Sequence, residues 1–415
     1  MTHLAALLGI FAFIGLAWLL SERRDRFPLR TVLAGLALQV LLGTLILRTQ
    51  AGAWFFERID LVFQKLLSYA AEGTAMVFGP LANSKLMAEK WGAENGFLFA
   101  VTITGTIVLV SALSSLLYHY GLLQRVVRGM AWVMRHLMGV SGSESLAAAA
   151  NIFMGQTEAP LVIKPYLATM TRSELLALMT GGMATIAGGV LAAYIAMGIS
   201  PGHLLTASVM SAPASLMIAK IMLPETHRPT PDAATALEMP RETVNGLDAL
   251  CQGASEGMKL ALNVLAMLIA FVAIVAMANG AISALLDFIG IVEPRPLQWL
   301  LGWLNAPFAW LMGVPWQDCA SIGGILGERI VLNEFIGYLS LCQAAEHLQP
   351  ESITIATYAL CGFANFASIA IQIGGIGALA QGRRNELAQL GLRAMIGGLL
   401  ACYSTACIAG LLTHK

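Results

Sequence analysis

The sequence predicts an all-α polytopic membrane protein, with eight transmembrane helices plus two re-entrant hairpins in inverted repeats and with interfacial amphipathic helices. Three observations carry that prediction. Of 415 residues, 57% are hydrophobic and only 12% charged, against roughly 25% charged in an average soluble domain, and the mean hydropathy is +0.73. Charge-free runs such as 175–219 and 260–286 alternate with arginine-bearing loops. Two further apolar stretches carry a carboxylate at their centre, between arms too short to cross a bilayer, which needs about 20 residues of helix.

Charge and cysteine usage narrow the class. Lys plus Arg and Asp plus Glu each number 24, so there is no basic surplus to neutralise phosphates and nothing points to a nucleic-acid partner. Cys251, Cys319, Cys342, Cys361, Cys402 and Cys407 have no Cys-x-x-Cys spacing. They read as small buried hydrophobes, with neither a disulfide framework nor a zinc site indicated.

Leu4 to Leu20 has no basic region ahead of it and reads as a first span in place of a cleaved signal. Arg23, Arg24, Arg26 and Arg30 put the next loop in the cytoplasm and the N-terminus outside. Thr31 to Leu47 returns outward. Trp54 to Leu67 mixes Glu57, Arg58, Asp60 and Lys65 with Phe55, Phe56, Ile59 and Leu61, as an interfacial amphipathic helix does or as a solvated connecting helix does. Phe97 to Tyr120 spans inward. Gly121 to Met138 sets Arg125, Arg128, Arg135 and His136 against Leu122, Val126, Val127 and Met130, a basic amphipathic helix on the cytoplasmic face. A hairpin centred on Gln156 enters from that face and is closed by Lys164 and Arg172.

Ser200-Pro201-Gly202 divides the charge-free run 175–219 into two spans. In the first, Thr180-Gly181-Gly182 and Gly188-Gly189 predict either an unwound turn near the midplane or close packing of a neighbouring helix. Pro224 to Asn245, polar and carrying Arg228 and Arg241, is placed inside. Leu260 to Leu286 spans outward, and Trp299, Trp303, Trp310 and Trp316 cluster around the next loop as at a membrane interface. A second broken region, Trp316 to Leu341, carries Gly323-Gly324, Gly327 and Asn333-Glu334-Phe335. Ser352 to Gly382 crosses inward, Arg383, Arg384 and Arg393 mark a cytoplasmic turn, and Ala394 to Leu412 exits, leaving the C-terminus outside.

Two blocks, 121–245 and 293–415, share one plan: a hairpin bearing a carboxylate, then a Gly-rich charge-free helix, then another helix. Glu158 precedes Thr185 by 27 residues and Glu334 precedes Asn365 by 31. The arginines give the two hairpins opposite orientations, the pattern of a secondary transporter whose substrate lies between broken helices at the repeat interface. A buried carboxylate must find a partner or bind a proton. Carboxylates accept from sugar hydroxyls, and Gln156 and Asn365 each offer a donor and an acceptor, which suits a nucleobase edge or a ribose hydroxyl. Thr157 adds a hydroxyl, and Phe363 and Phe366 an apolar face. Ser368 either joins the site or bonds across helices. The absence of Arg and Lys from this set argues against anionic substrates such as nucleotides.

Gly155-Gln156-Thr157-Glu158, the run Gly327-Glu328-Arg329-Ile330-Val331-Leu332-Asn333-Glu334-Phe335, and Cys361-Gly362-Phe363-Ala364-Asn365-Phe366 resemble the concentrative nucleoside transporter family, in its bacterial eight-span form, over nearly the whole chain. The family motif usually has Lys where Arg329 stands, which keeps the charge. The resemblance implies a homotrimer in the inner membrane. Scaffold helices (1–120, and a span with a preceding interfacial segment at 246–292) would hold a mobile transport domain made of the two repeats. It implies that Gln156, Thr157, Glu158 and Val190 line the nucleobase end, and that Glu334, Asn365 and Ser368 bind ribose with Phe363 beside it. It also implies a sodium ion at Asn151, Met154 (through its carbonyl) and Thr185, although other members of the family couple to protons. The expected activity is symport of nucleosides such as uridine by an elevator-type movement. An intramembrane hydrolase pairing Glu158 with Glu334 is the competing reading; the chain offers no His-Glu-x-x-His or Gly-x-Ser-x-Gly, and its seven histidines sit singly.

Overall fold

The computed structural model describes residues 2–92, 98–226, 243–288 and 290–413. The polar stretch expected at 224–245 lies mostly outside the described residues, Arg228 and Arg241 included, as do Phe97, His227 and His414. Among the described residues there is no strand. The helices are α1 (Thr2–Leu19), α2 (Leu29–Arg48), α3 (Gln50–Phe78), α4 (Ser84–Trp91), α5 (Phe99–His119) and α6 (Leu122–Met138). A first hairpin, α7 (Gly142–Asn151) and α8 (Ala159–Val162), is followed by α9 (Arg172–Ala184), α10 (Gly188–Ala196) and α11 (Pro201–Met222). After α12 (Gly246–Phe288) and α13 (Pro296–Leu311), a second hairpin, α14 (Trp316–Val331) and α15 (Glu334–Ala344), leads to α16 (Pro350–Leu360), α17 (Phe366–Leu379) and α18 (Arg384–Thr413).

Seven stretches of the described residues are long and apolar enough to cross a membrane: α1, α2, α5, α9 with α10, α11, α12 and α18. The eighth expected span is divided between α16 and α17, of 11 and 14 residues, neither of which alone reaches the ~20 that a bilayer requires. Each half of the chain thus repeats one order: a leading helix (α6, α13), hairpin, broken span (α9 and α10, α16 and α17), unbroken span (α11, α18).

Several elements differ from expectation for identifiable reasons. The helix expected over Trp54 to Leu67 continues to Phe78, because nothing stops it before Gly79, at φ +56, and Pro80. The interfacial segment and span expected over 246–292 form one helix of 43 residues, α12, about 65 Å long. Gly253 and Gly257, one turn apart, lay it against Ser111 of α5, where an added Cβ would come within 2.7 Å of Ser111 O and 2.9 Å of Ser111 Cβ respectively. Trp299, Trp303 and Trp310 sit on the helix α13, with Trp316 at the start of α14, so no loop carries them; all four rings stay exposed, as an interfacial position asks. The return arm of the first hairpin is not a continuous helix: Pro160 and Pro165 lack the N–H that helix continuation needs, and each restarts a short turn. Helix α4 was not foreseen. Cys251 is exposed on the polar first third of α12, contrary to the burial expected of it.

The arginine-bearing loops gather at one end of the molecule. Glu22 pairs with Arg172 and Arg393, Arg30 donates to His136 O at 2.7 Å, and Lys220 pairs with Glu144 and Glu225. The first hairpin is rooted there. Its entry and that of α9 are both closed by capping boxes, Ser141 with Glu144 and Thr171 with Glu174. The second hairpin is rooted at the opposite end, where Met312 O lies 2.6 Å from a Cβ built on Gly410 in the last turns of α18. Asp318 at its base accepts from Ser352 Oγ at 2.6 Å and Gln349 N at 3.0 Å.

The two broken spans touch at their breaks. Gly362 packs on the end of α9, where an added Cβ would lie 2.7 Å from Met183 O, 2.8 Å from Ala184 C and 2.8 Å from Cys402 Sγ. Arg329, fully buried, donates to Gly362 O at 3.2 Å and so ties the second hairpin to this crossing. Backbone atoms cannot move aside as a flexible side chain can. Gly362→Ala is therefore expected to cost about 1–3 kcal/mol, measured as a lower midpoint of thermal unfolding in detergent; an unchanged midpoint would mean that the breaks are not held this tightly.

Candidate functional site

Both hairpins end near the crossing, and the ends of helices supply the local chemistry. Asn333 caps α15, its Oδ1 accepting from Ile336 N at 2.9 Å, and Asn365 caps α17, its Oδ1 accepting from Ser368 N at 2.9 Å. With its oxygen committed, the Asn365 amide nitrogen donates to Glu334 Oε2 at 2.9 Å. The Tyr194 hydroxyl of α10 donates to Glu334 Oε1 at 2.9 Å. Glu334 is the first residue of α15, where the helix dipole favours a negative charge. The carboxylate is thus held from both sides by neutral donors, and further lone pairs remain for a ligand.

At the tip of the first hairpin, Gly155 N donates to Glu158 Oε2 at 3.2 Å, curling the turn so that Thr157 and Glu158 stay exposed. Gln156 is buried beside them and donates from Nε2 to Ser368 Oγ at 3.1 Å. This bond joins the first hairpin to the second repeat.

All eight expected substrate-contacting residues, Gln156, Thr157, Glu158, Val190, Glu334, Phe363, Asn365 and Ser368, line one cavity of about 190 Å³. Among the described residues lining it, none is Lys, Arg or His. Phe366 does not join them; it stands one residue beyond the cap, 53% exposed on the other side of α17. One wall is apolar and comes from α12 through Leu260, Val264, Met267 and Phe271. Their spacing of four, three and four marks a helical stripe, which the charge-free run around it hides.

Sequence reasoning also missed Tyr194 and Gln372. Tyr194 sits among apolar residues whose only hint is its own hydroxyl. Gln372 had a usable sign: it is the one amide in the apolar run 369–380 and lies one turn after Ser368.

The residues expected to hold sodium lie where the first hairpin meets the break in the first broken span. Asn151 ends α7, 1% exposed, and neither atom of its amide finds a hydrogen-bond partner among the described residues. A Cβ on Gly181 would be 3.2 Å from Asn151 Nδ2, and Gly181 O accepts from Thr185 Oγ1 at 2.9 Å. Met154 follows in the turn that Gly188 N fastens by donating to Phe153 O at 3.2 Å. The break itself spans Thr185 to Ala187, between the two glycine pairs, so an unwound turn and close packing both occur. An uncompensated buried amide oxygen, a hydroxyl and unwound carbonyls fit a hard cation that takes oxygen ligands. Among the described residues no cluster of three or more His, Cys, Asp or Glu would hold a transition metal.

Family models cover most of the chain. That described as Na+ dependent nucleoside transporter N-terminus matches residues 8–81, a nucleoside recognition (Gate) model matches 100–201, and Na+ dependent nucleoside transporter C-terminus matches 203–410. The nucleoside permease NupC of Helicobacter pylori is 38% identical over 415 residues, covering 99% of this chain and 98% of that protein. Solute carrier family 28 member 3 of Mus musculus is 41% identical over 421 residues; the match covers 98% of this chain and 58% of the longer relative. Among solved structures, CNTnw in an inward-facing substrate-bound state aligns with a TM-score of 0.93 at 40% identity, covering 100% of this chain and 98% of that one.

Proposed function

This chain belongs to the concentrative nucleoside transporter family, and from that premise we propose that it imports nucleosides such as uridine by sodium-coupled symport. The observation that carries the reading is Glu334, held by Asn365 and Tyr194 in a cavity that also receives the tip of the first hairpin and contains no basic side chain. Ribose hydroxyls are donors suited to that carboxylate, and the Gln156, Thr157 and Glu158 end offers edges for a base. The hydrolase alternative pairing Glu158 with Glu334 falls, because the family is one of transporters and not of enzymes.

Sodium at Asn151, Thr185 and the Met154 carbonyl would order the turn that carries Gln156, so ion and nucleoside bind one element. The two repeats, 121–245 and 293–415, move as an elevator against the scaffold of 1–120 and 246–292. In the assembly we propose, a homotrimer in the inner membrane with both termini outside, the apolar face that α12 leaves uncovered at Ile269, Met277 and Leu285 meets neighbouring subunits or lipid. One charge moving down about 100 mV supplies about 2.3 kcal/mol, roughly fiftyfold accumulation before any ion gradient is added.

Uptake of labelled uridine into proteoliposomes under swapped sodium and proton gradients, with adenosine and cytidine as competitors, tests the proposal. Accumulation of unchanged uridine that follows the sodium gradient is expected; accumulation that follows the proton gradient alone would replace the ion, and none under either gradient would refute symport. A 2′- or 3′-deoxy analogue that leaves an acceptor of Glu334 unmatched should bind roughly five- to a hundredfold more weakly, the cost of a buried polar group left unpaired. Equal affinities would remove Glu334 from ribose recognition.

A further inference from the structure

We infer that Gln372 is a positioning residue that fixes which way the Gln156 amide faces in the cavity and thereby sets the preference between bases; this rests on the nucleoside-binding reading above. Gln372 lies on α17 one turn beyond Ser368, 1% exposed, behind the cavity wall. Its Nε2 donates to Met179 O at 3.0 Å and to Gln156 Oε1 at 3.1 Å. Gln156 in turn donates from Nε2 to Ser368 Oγ at 3.1 Å.

The direction of this chain follows from its first member. A backbone carbonyl only accepts, so the nitrogen end of the Gln372 amide must face Met179. The second proton on that nitrogen then points at Gln156, which must answer with its oxygen. The Gln156 nitrogen is left facing Ser368, and the Ser368 proton is left free for a ligand. Turning the Gln156 amide over would set two N–H groups against each other at Gln372, and Gln372 cannot turn to relieve them without losing Met179. Gly182 makes room for the arrangement, since a Cβ there would lie 2.7 Å from Gln372 Nε2 and 2.9 Å from Gln156 Cβ.

An amide free to turn would serve a base edge bearing a carbonyl as well as one bearing an amino group. A locked amide serves one of them better. Uridine and cytidine differ in that one group, so the lock separates pyrimidine nucleosides that a loose Gln156 would treat alike.

Titration calorimetry on the purified protein in sodium, with uridine and cytidine, is the test. The parent is expected to bind the two with different affinities, and Gln372→Met, which keeps the length and removes the donors, is expected to contract that ratio by about threefold or more, the worth of one hydrogen bond. Gln372→Leu, which removes the same donors with a branched side chain, should contract it as well and stands in if Gln372→Met does not fold. Ser368→Ala keeps the lock and should weaken both ligands by the same factor. A ratio unchanged in Gln372→Met and Gln372→Leu overturns the inference, as does a Ser368→Ala variant that contracts it equally. A parent that binds neither nucleoside overturns the functional reading itself.

Discussion

Glu334→Gln is expected to leave a folded, membrane-inserted protein whose uridine uptake is almost abolished. The substitution is nearly isosteric, and the local bonds can be remade: the new amide oxygen accepts from Asn365 Nδ2, and the new amide nitrogen donates to the Tyr194 hydroxyl, which turns to accept. The Tyr194 proton loses its acceptor in exchange, a cost of about 1–3 kcal/mol, so the thermal midpoint should fall while the protein still folds. The ligand, by contrast, loses a charged acceptor. A hydrogen bond to a charged group is worth roughly 1.5 to 3 kcal/mol, about ten- to a hundredfold in affinity. The check is paired: fluorescence-detected size exclusion for the fold, uptake in proteoliposomes for the activity. Uptake near the parent's rate from the folded variant would remove Glu334 from the site. Tyr194→Phe, which deletes one neutral donor to the same carboxylate, should have a smaller effect than Glu334→Gln.

What was legible in the sequence divides along physical lines. Charges inside apolar runs are costly enough to stand out, so Glu158 and Glu334 located both hairpin tips, and the arginines located the loops that the structure gathers at one end. Capping asparagines are also visible by type: Asn333 falls in the second broken region and Asn365 reads as a polar break, and the structure makes both helix caps, with Asn365 also donating to the Glu334 carboxylate. Helix continuity was less readable. The step from the polar start of α12 into its apolar remainder looks like a boundary in composition, but no Pro interrupts it and the helix runs through. Around α13 the sequence reading places Trp299, Trp303, Trp310 and Trp316 about a loop, whereas the structure puts three of them on the helix itself and the fourth at the start of α14, all exposed. The α12 wall of the cavity is illegible for another reason: apart from Asn263, Asn279 and Ser283 that run is apolar all round, so periodicity cannot say which face looks at the ligand and which at lipid.

The ion reading meets its strongest test at Asn151, where a structural role and a ligating role predict opposite results. Both atoms of this amide are buried and without a partner among the described residues, a condition that costs roughly 1 to 3 kcal/mol for each group left unmade. If the amide served packing alone, Asn151→Leu, which matches it in branching and heavy-atom count, would relieve that cost without touching ion dependence. If its oxygen is a sodium ligand, the parent tolerates the orphan oxygen because the ion satisfies it, and sodium should stabilise the parent by mass action, about 2.7 kcal/mol at a hundredfold excess over the dissociation constant. Asn151→Leu should then unfold at the same temperature in sodium and in choline and bind uridine equally well or badly in both. Thermal scans of the two proteins across a sodium titration, each with and without uridine, decide the matter: a sodium-dependent midpoint that persists in Asn151→Leu places the ion elsewhere. The coupling has a structural route. Asn151 closes α7, and Gln156 lies in the turn that follows it, fastened to the break in the first broken span by Gly188 and Phe153. An ion that fixes this turn fixes with it the Gln156 amide that we propose faces the base, so the loss of sodium dependence and the loss of uridine affinity should appear together in the one variant.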